Sequence, residues 1–438
     1  MGRRKRLPLD PFPLSVQSLL DNGRGYAERE GQGLEVFDAL PGEKINARYL
    51  FGRRFRGKVE TLEVFNAAPE RTEPRCPHFG TCSACSLQHA TAGAQIEFKQ
   101  QWMLDQLYAH DGLQPVEVLA PLQGATWHYR RKARLSARSV PAKGRVLVGF
   151  RERDGRFVTD MSQCEILPQR FSQRLPDLSR LLSELDAAAK IPQLELACGD
   201  DGCTLVLRHL EPLSLADRER LKRFSLASGL DFYLQPGGPE TVEPLLPAVS
   251  ELSYELPAFG LELRFHPMDF VQVNASLNEL MIQQALALLA PERGDQVLDL
   301  FCGLGNFSLP IAQHCASVLG LEGDPDLVHR AGDNARRNKI TNVEFRQADL
   351  YDSEPGLLDG ISADRVLLDP PRSGAGPLLA ALERTGATRI VYVSCNPVTM
   401  AADAHTLVES FGFRLVSAGV MDMFPHTAHV ESMALLER

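Results

Sequence analysis

The stretch Arg389-Ile-Val-Tyr-Val-Ser-Cys395-Asn396-Pro397 is a buried-strand pattern that ends on a thiol. Such a strand delivers its last side chain to one edge of a sheet, the position a nucleophile needs. Twenty-six residues upstream, Val366-Leu-Leu-Asp369-Pro370-Pro371-Arg372 ends another apolar strand on a carboxylate and a rigid double proline. Further back, Val297-Leu-Asp299-Leu-Phe301-Cys-Gly303-Leu-Gly305-Asn306-Phe307 ends a third on a glycine-rich turn. Ligands of open parallel sheets bind beyond the carboxyl ends of the strands, so a thiol, a carboxylate and a nucleotide-type loop are expected to meet in one crevice.

The glycine turn alone is weak evidence, because Ser308 replaces the third glycine of a dinucleotide fingerprint. Glu322 sharpens it: seventeen residues past Gly305, at the end of the next strand, a carboxylate can accept both ribose hydroxyls. This combination suits S-adenosylmethionine better than NAD, since the former has no pyrophosphate to cradle. Asp369-Pro-Pro by itself would suit methylation of an amino group. Cys395 changes that reading, because a thiolate adding to carbon 6 of a pyrimidine makes carbon 5 nucleophilic towards a sulfonium methyl. A base must then remove the carbon 5 proton. Glu431 is the candidate: residues 413 to 421 are expected to run parallel to the sheet, Phe424-Pro-His426-Thr-Ala-His429 to turn at the active-site edge, and the strand 429 to 436 to return past Cys395. His426 and His429 read as hydrogen-bonding surface groups of that turn, and Cys302 and Cys315 as small core residues.

Cys76, Cys82 and Cys85 supply three thiols within ten residues, with Cys164 as the expected distant fourth. Four thiolates hold zinc or an iron-sulfur cluster, and a triplet plus one remote cysteine is more typical of the latter. Cys198 and Cys203 are rival fourth ligands or core.

The elements that must position these groups follow from the rest of the chain. Its 438 residues are 44% hydrophobic and 24% charged, which excludes disordered and collagen-like classes and allows two or three domains. No run of eighteen apolar residues exists, and the basic start Met1-Gly-Arg-Arg-Lys-Arg6 is followed by no signal-peptide apolar region, so a cytoplasmic protein without a membrane partner is expected. The net charge of -9 is uneven: residues 1 to 138 carry 20 Lys+Arg against 15 Asp+Glu, and the remainder 27 against 41. A polyanion partner is therefore expected at the amino-terminal part. Short strands and glycine turns from Ser15 to Ala68 predict a small five-stranded barrel, with Arg48, Arg53, Arg54, Arg56 and Lys58 late in it. A solvated charged edge would give the same basic cluster. Ile96 to Ala109 reads as a helix, and residues 126 to 268, rich in proline, as a mainly β domain. Trp127-His-Tyr129-Arg130-Arg131-Lys132-Ala-Arg134-Leu-Ser-Ala-Arg138 combines basic residues with aromatics, a pattern suited to phosphate neutralisation and base stacking. From Met281 helices and strands alternate as in a parallel α/β sheet.

Together Asp299 to Phe307, Asp369-Pro-Pro-Arg372, Ser394-Cys-Asn-Pro397, Asp422-Met-Phe-Pro425 and His429-Val-Glu431 resemble the motifs of bacterial RNA uracil-5-methyltransferases over nearly the whole chain. The resemblance implies a class I S-adenosylmethionine-dependent catalytic domain with a Rossmann-like seven-stranded sheet over residues 269–438. It also implies an OB-like TRAM barrel over 12–70 and a central domain over 71–268 whose helical segment 93–125 packs on the catalytic domain. By resemblance Gln272, Phe301, Asn306, Glu322, Asp349 and Asp369 contact the cofactor, Cys395 is the nucleophile and Glu431 the base. Cys76, Cys82, Cys85 and Cys164 look like the 4Fe-4S site of the branch acting on 23S ribosomal RNA, as a monomer, at a loop uridine in domain IV. Other readings are a second 23S site, transfer RNA, cytosine-5 methylation, or a non-catalytic RNA-binding scaffold for ribosome assembly.

Overall fold

The computed structural model describes residues 10–50, 55–153, 155–247, 251–351 and 356–438. Arg53 and Arg54 of the basic cluster, and the basic start before residue 10, lie outside the described residues.

The amino-terminal strands are β1 (Phe12–Ser15), β2 (Ser18–Leu19), β3 (Gly25–Arg29), β4 (Gln32–Phe37), β5 (Lys44–Tyr49) and β6 (Lys58–Asn66). They form one sheet in the order β1-β5-β6-β4-β3-β2, six segments where five strands are expected. The difference arises because the first strand breaks at Val16-Gln17. β1 pairs with β5 and β2 with β3, while the Val16 amide donates to Glu43 O and the Gln17 amide to Tyr26 O. One stretch of chain thus bonds both sides of the sheet and closes it, which removes exposed edges. Alternate residues such as Leu14, Ala27, Leu34, Val36, Ile45 and Val59 fill the interior. Arg48 pairs with Glu60 and Lys58 with Glu35 on the barrel's outside.

Helix α1 (Ala92–Tyr108) starts where the Thr91 hydroxyl accepts the Ala94 amide, and is followed by the short β7 (Glu117–Val118). The central region contains β8 (Lys132–Val140), β9 (Arg145–Gly149), α2 (Gln169–Ser172), α3 (Leu175–Ser183), β10 (Gln193–Cys198), β11 (Cys203–Arg208), α4 (Leu215–Ser228), β12 (Leu230–Gln235) and β13 (Glu243–Pro244). Its sheet runs β13-β12-β11-β10-β8-β9. With α3 against β9 and α4 against β12, this region is mixed α/β rather than mainly β. Pro176 lies in the first turn of α3, where a missing amide hydrogen costs no helical bond. α4 buries only Asp217, Leu221 and Ser225, too few apolar positions to announce a helix.

The carboxyl-terminal part comprises the hairpin β14 (Leu252–Leu256) and β15 (Leu261–Phe265), then α5 (Ala275–Leu289), β16 (Gln296–Leu300), α6 (Ser308–Ala312), β17 (Ser317–Glu322), α7 (Pro325–Arg337), β18 (Val343–Gln347), β19 (Arg365–Leu368), α8 (Leu379–Arg384), β20 (Arg389–Ser394), α9 (Pro397–Phe411), β21 (Arg414–Met421) and β22 (Glu431–Glu437). The sheet order is β18-β17-β16-β19-β20-β22-β21-β7. It has eight strands, not seven: β7 adds parallel to β21 at Glu117 and Val118, a pair too short to leave a periodic signal. β16 to β20 are parallel, and β22 lies antiparallel between β20 and β21. α1 packs on α9 and β21, contributing Ile96, Met103 and Leu107 to the core on that face. The hairpin β14–β15 shares the opposite core with α5. Among the described residues no helix is long and apolar enough to cross a membrane.

Candidate active site

β20 carries Cys395 to the carboxyl edge of the sheet, and Asn396 then caps α9 by accepting the Val398 amide, with Pro397 opening the helix. The Asn-Pro that follows the thiol is therefore a strand-to-helix turn. Because β22 runs antiparallel with Ser432 opposite Ser394 and Glu431 opposite Met421, Glu431 enters the sheet beside Cys395 although 36 residues separate them. Arg372 follows Asp369-Pro-Pro, and its carbonyl accepts from Asn396 Nδ2 at 2.8 Å, so the two motifs are tied backbone to side chain.

These groups share one crevice, where burial and neighbouring charges shift their protonation. Burial, aided by the charges of Glu431 and Asp369, pushes the Cys395 thiol up to about 11, against a smaller opposing effect of Arg372. Burial raises Glu431 well above the usual carboxylate range, with Asp369 adding to it. Asp369 is pushed up to about 7 by burial and by the neighbouring Asp299 and Glu322. Asp299 is also pushed up to about 7, by burial and by Glu322, although Ser308 donates a short hydrogen bond to it. Oδ1 of Asp299 is buried without a partner. Such crowding of carboxyls favours a positively charged ligand.

The remaining cofactor-type residues surround this edge. Phe301 begins the glycine turn with φ 65°, and its ring lies 5.7 Å from that of Tyr351. Glu322 ends β17 and accepts the amides of Gly303 at 3.0 Å and Asp324 at 3.1 Å, which fixes its carboxylate over the turn. Asp349 is exposed and accepts the Tyr351 amide. Gln272 is half-buried on a segment held by Lys132, which donates to Pro267 O, and by the Arg131 amide, which donates to Val273 O. Asn306 sits on the same turn, its side chain bonded to the Tyr254 hydroxyl at 2.8 Å and to Asn278 in both directions. These bonds brace the glycine turn and fix where the Asn306 side chain stands on it.

A cleft of about 380 Å³ opens onto Cys395 and is walled by separate parts of the chain, with Trp102 of α1 and Arg153 of the central region among its lining. Asn22, Arg24 and Phe37 come from the barrel, Ser83 and Ser86 from the cysteine-rich loop, and Arg372 and His429 from the catalytic edge. The barrel and loop residues carry no sequence signal for this role, since only the packing of separate elements brings them to the thiol.

Cys76, Cys82, Cys85 and Cys164 are all buried and unbonded, and they line one small pocket. Each sulfur meets a donor: the amides of His78 and Phe79 at Cys76, Ala84 at Cys82, the Gln88 side chain at Cys85, and the Ile166 and Leu167 amides at Cys164. Burial and the other thiols push Cys85 and Cys164 up to about 12. Among the described residues no three His, Cys, Asp or Glu side chains stand at metal-holding distances. The chemistry of the set fits a thiolate-ligated group, while its geometry is looser than a closed site. Cys198 and Cys203 are not rivals for it: they face each other across β10 and β11 and form a disulfide.

The aromatic and basic stretch 127–138 is also used differently. Trp127 stacks on His426 at 3.8 Å and Tyr129 is buried, donating to Pro425 O. Arg131 is buried against Asp200, and Lys132 holds backbone carbonyls, so Arg134 and Arg138 are the members left on the surface.

A family described as tRNA (Uracil-5-)-methyltransferase matches residues 258–438. Over 443 aligned residues the chain is 50% identical to a protein of Alkalilimnicola ehrlichii named 23S rRNA (uracil(1939)-C(5))-methyltransferase RlmD, covering 100% of this chain and 99% of that one. The chain belongs to the RNA uracil-5-methyltransferase family. A Hahella chejuensis relative of the same name is 48% identical, again over 100% of this chain and 99% of its own. The solved tRNA (uracil-54, C5)-methyltransferase of Pyrococcus abyssi, a complex with S-adenosyl-L-homocysteine, shares the uracil-5-methyltransferase fold. It superposes with a TM-score of 0.73 at 21% identity over 97% of this chain and 100% of its own.

Proposed function

We propose that this protein methylates carbon 5 of a uridine in 23S ribosomal RNA, at a loop in domain IV, using S-adenosylmethionine. The observation that carries the reading is the pairing of a strand-end thiol, Cys395, with a buried carboxyl, Glu431, on the neighbouring antiparallel strand. S-adenosylmethionine supplies a sulfonium methyl. Gln272, Phe301, Asn306, Glu322, Asp349 and Asp369 hold it, Asn306 also bracing the glycine turn, and its positive charge suits the crowded carboxyls. Cys395 adds to carbon 6 of the uracil as the thiolate, the electron pair of the carbon 5–carbon 6 bond takes the methyl at carbon 5 while the sulfonium sulfur keeps the pair of the broken methyl–sulfur bond, Glu431 receives the carbon 5 proton as the carboxylate, and departure of the thiolate restores the double bond. The full-length similarity to proteins named for 23S rRNA supports that substrate. Cys395→Ala is expected to abolish methylation of a 23S transcript while S-adenosylmethionine still binds. A transcript made with 5-fluorouridine should trap the unaltered enzyme as a covalent adduct, because fluorine cannot leave as a proton does. Turnover by the alanine variant would overturn the reading.

Cys76, Cys82, Cys85 and Cys164 hold a 4Fe-4S cluster whose role is to cross-link the loop that lines the cleft. Buried convergence and the donors aimed at each sulfur support this. Thiol addition, methyl transfer and elimination leave every oxidation state unchanged, so no electrons are required. Anaerobically purified protein is expected to be brown, and Cys82→Ala to weaken folding or RNA affinity more than cofactor affinity. Colourless active protein with stoichiometric zinc would replace the cluster by a zinc site.

A further inference from the structure

His426, read from sequence as a surface group, is 5% exposed and every polar atom it has is engaged. Its amide donates to Gln95 Oε1 at 2.8 Å, and Gln95 Nε2 lies 3.3 Å from its Nδ1. Its Nε2 lies 3.0 Å from the Thr126 carbonyl, which can only accept, so Nε2 carries the proton and Nδ1 accepts from the glutamine. Its own carbonyl accepts the amides of Ser86 and Leu87, both at 2.9 Å, and its ring stacks on Trp127. Its φ is 66°, a left-handed backbone that a residue other than glycine keeps only when its surroundings enforce it. Burial holds the ring's pKa down to about 4, so the imidazole remains a neutral hydrogen-bonding strut.

The strut joins α1, the segment before β8 and the loop just after Cys85 to one turn, residues 424–430, which leads directly into Glu431. The same turn is held again nearby: Ala428 donates its amide to Ser86 Oγ at 3.1 Å, and Tyr129 donates to Pro425 O. From the barrel, Gly23 sits so close that a Cβ there would lie 2.9 Å from Ser86 Oγ and 3.1 Å from the Ala428 methyl. Thr427, Ala428, His429 and Val430 form one wall of the cleft over Cys395.

We propose that His426 is a positioning residue for proton abstraction, holding the turn so that Glu431 stands at carbon 5 of the bound uracil. The proposal rests on the roles assigned above to Cys395 and Glu431, and it separates two halves of the reaction. Addition and methyl transfer depend on Cys395 and the cofactor, whereas release of product depends on where Glu431 stands. Loss of His426 therefore slows release and leaves the earlier steps intact.

The test uses the full-length protein with its cofactors, methyl-labelled S-adenosylmethionine, and a 23S transcript made with either uridine or 5-fluorouridine. His426→Ala is expected to bind cofactor normally and to form the 5-fluorouridine adduct at nearly the rate of the unaltered enzyme. On ordinary transcript its turnover should fall by about tenfold to a hundredfold, with methyl-labelled RNA accumulating on the protein. His426→Gln, which keeps a donor for Thr126 O, should recover most of the turnover. Gln95→Leu, which frees the turn from α1 without altering the histidine, should accumulate the same labelled species. Parallel loss of adduct formation and turnover in the His426 and Gln95 variants would overturn the proposal, as would unchanged turnover in them. An unaltered enzyme that forms no 5-fluorouridine adduct would overturn the roles of Cys395 and Glu431, and this inference with them.

Discussion

At the scale of single residues, the crevice stores its chemistry as unfavourable charge. Glu431 is 4% exposed and faces Asp369, so its carboxyl holds a proton more tightly in the folded chain than in the unfolded one. The stability this brings is complete below the unfolded pKa and is lost as pH rises through the folded pKa, at about 1.4 kcal/mol for each unit of displacement. Glu431→Gln is thus expected to melt at a higher temperature than the unaltered protein near about pH 8, with the advantage gone by about pH 4, where the carboxyl is protonated in both states. Thermal denaturation across that range checks it. The same variant should lose turnover, an activity cost set against a stability gain.

Elements are pinned to the site by groups that sequence patterning reads as surface. Lys99 lies mid-way along α1 and is fully buried, donating to Asp422 at 2.6 Å and to Phe424 O at 3.0 Å just beyond β21. Burial lowers its pKa and the Asp422 carboxylate opposes that shift, as for a buried charge kept by its partner. Lys99→Ala leaves Asp422 uncompensated and is expected to cost about 3–5 kcal/mol of unfolding free energy, measurable in urea. The double replacement Lys99→Met with Asp422→Leu should recover most of that loss, since two apolar side chains leave no unpaired charge.

Across the whole molecule, an ion pair ties the barrel to the central region at the cleft. Arg153, from the central region, makes two bonds of 2.6 Å to Asp38 of the barrel. Its guanidinium also lies 5.1 Å from the Phe37 ring and 5.4 Å from that of Phe79 in the cysteine-rich loop. Both members of this bidentate, half-buried pair line the cleft. Arg153→Ala is expected to raise KM for the 23S transcript by about threefold to tenfold, as befits a charge-assisted pair, and to leave S-adenosylmethionine affinity unchanged. Steady-state kinetics with each substrate varied in turn distinguishes the two.

The sequence by itself determined the alternating catalytic sheet, the thiol at the end of one strand, the carboxylates ending others and the cysteine triplet, because these are written in local periodicity and in motifs within one element or turn. It also placed Glu431 beside Cys395, since the direction of two strands follows from the crossover between them. The tertiary structure alone decided that Asn306 braces its turn, that Trp127 and Tyr129 face inward, that Cys198 bonds Cys203, and that two residues at Glu117 extend the sheet. It alone seated His426 at the meeting of four segments and brought barrel residues to the thiol. Apart from the Cys198–Cys203 bond, which joins residues five positions apart across a hairpin, these depend on partners tens to hundreds of positions away, and burial of a polar side chain becomes favourable only once those partners are in place.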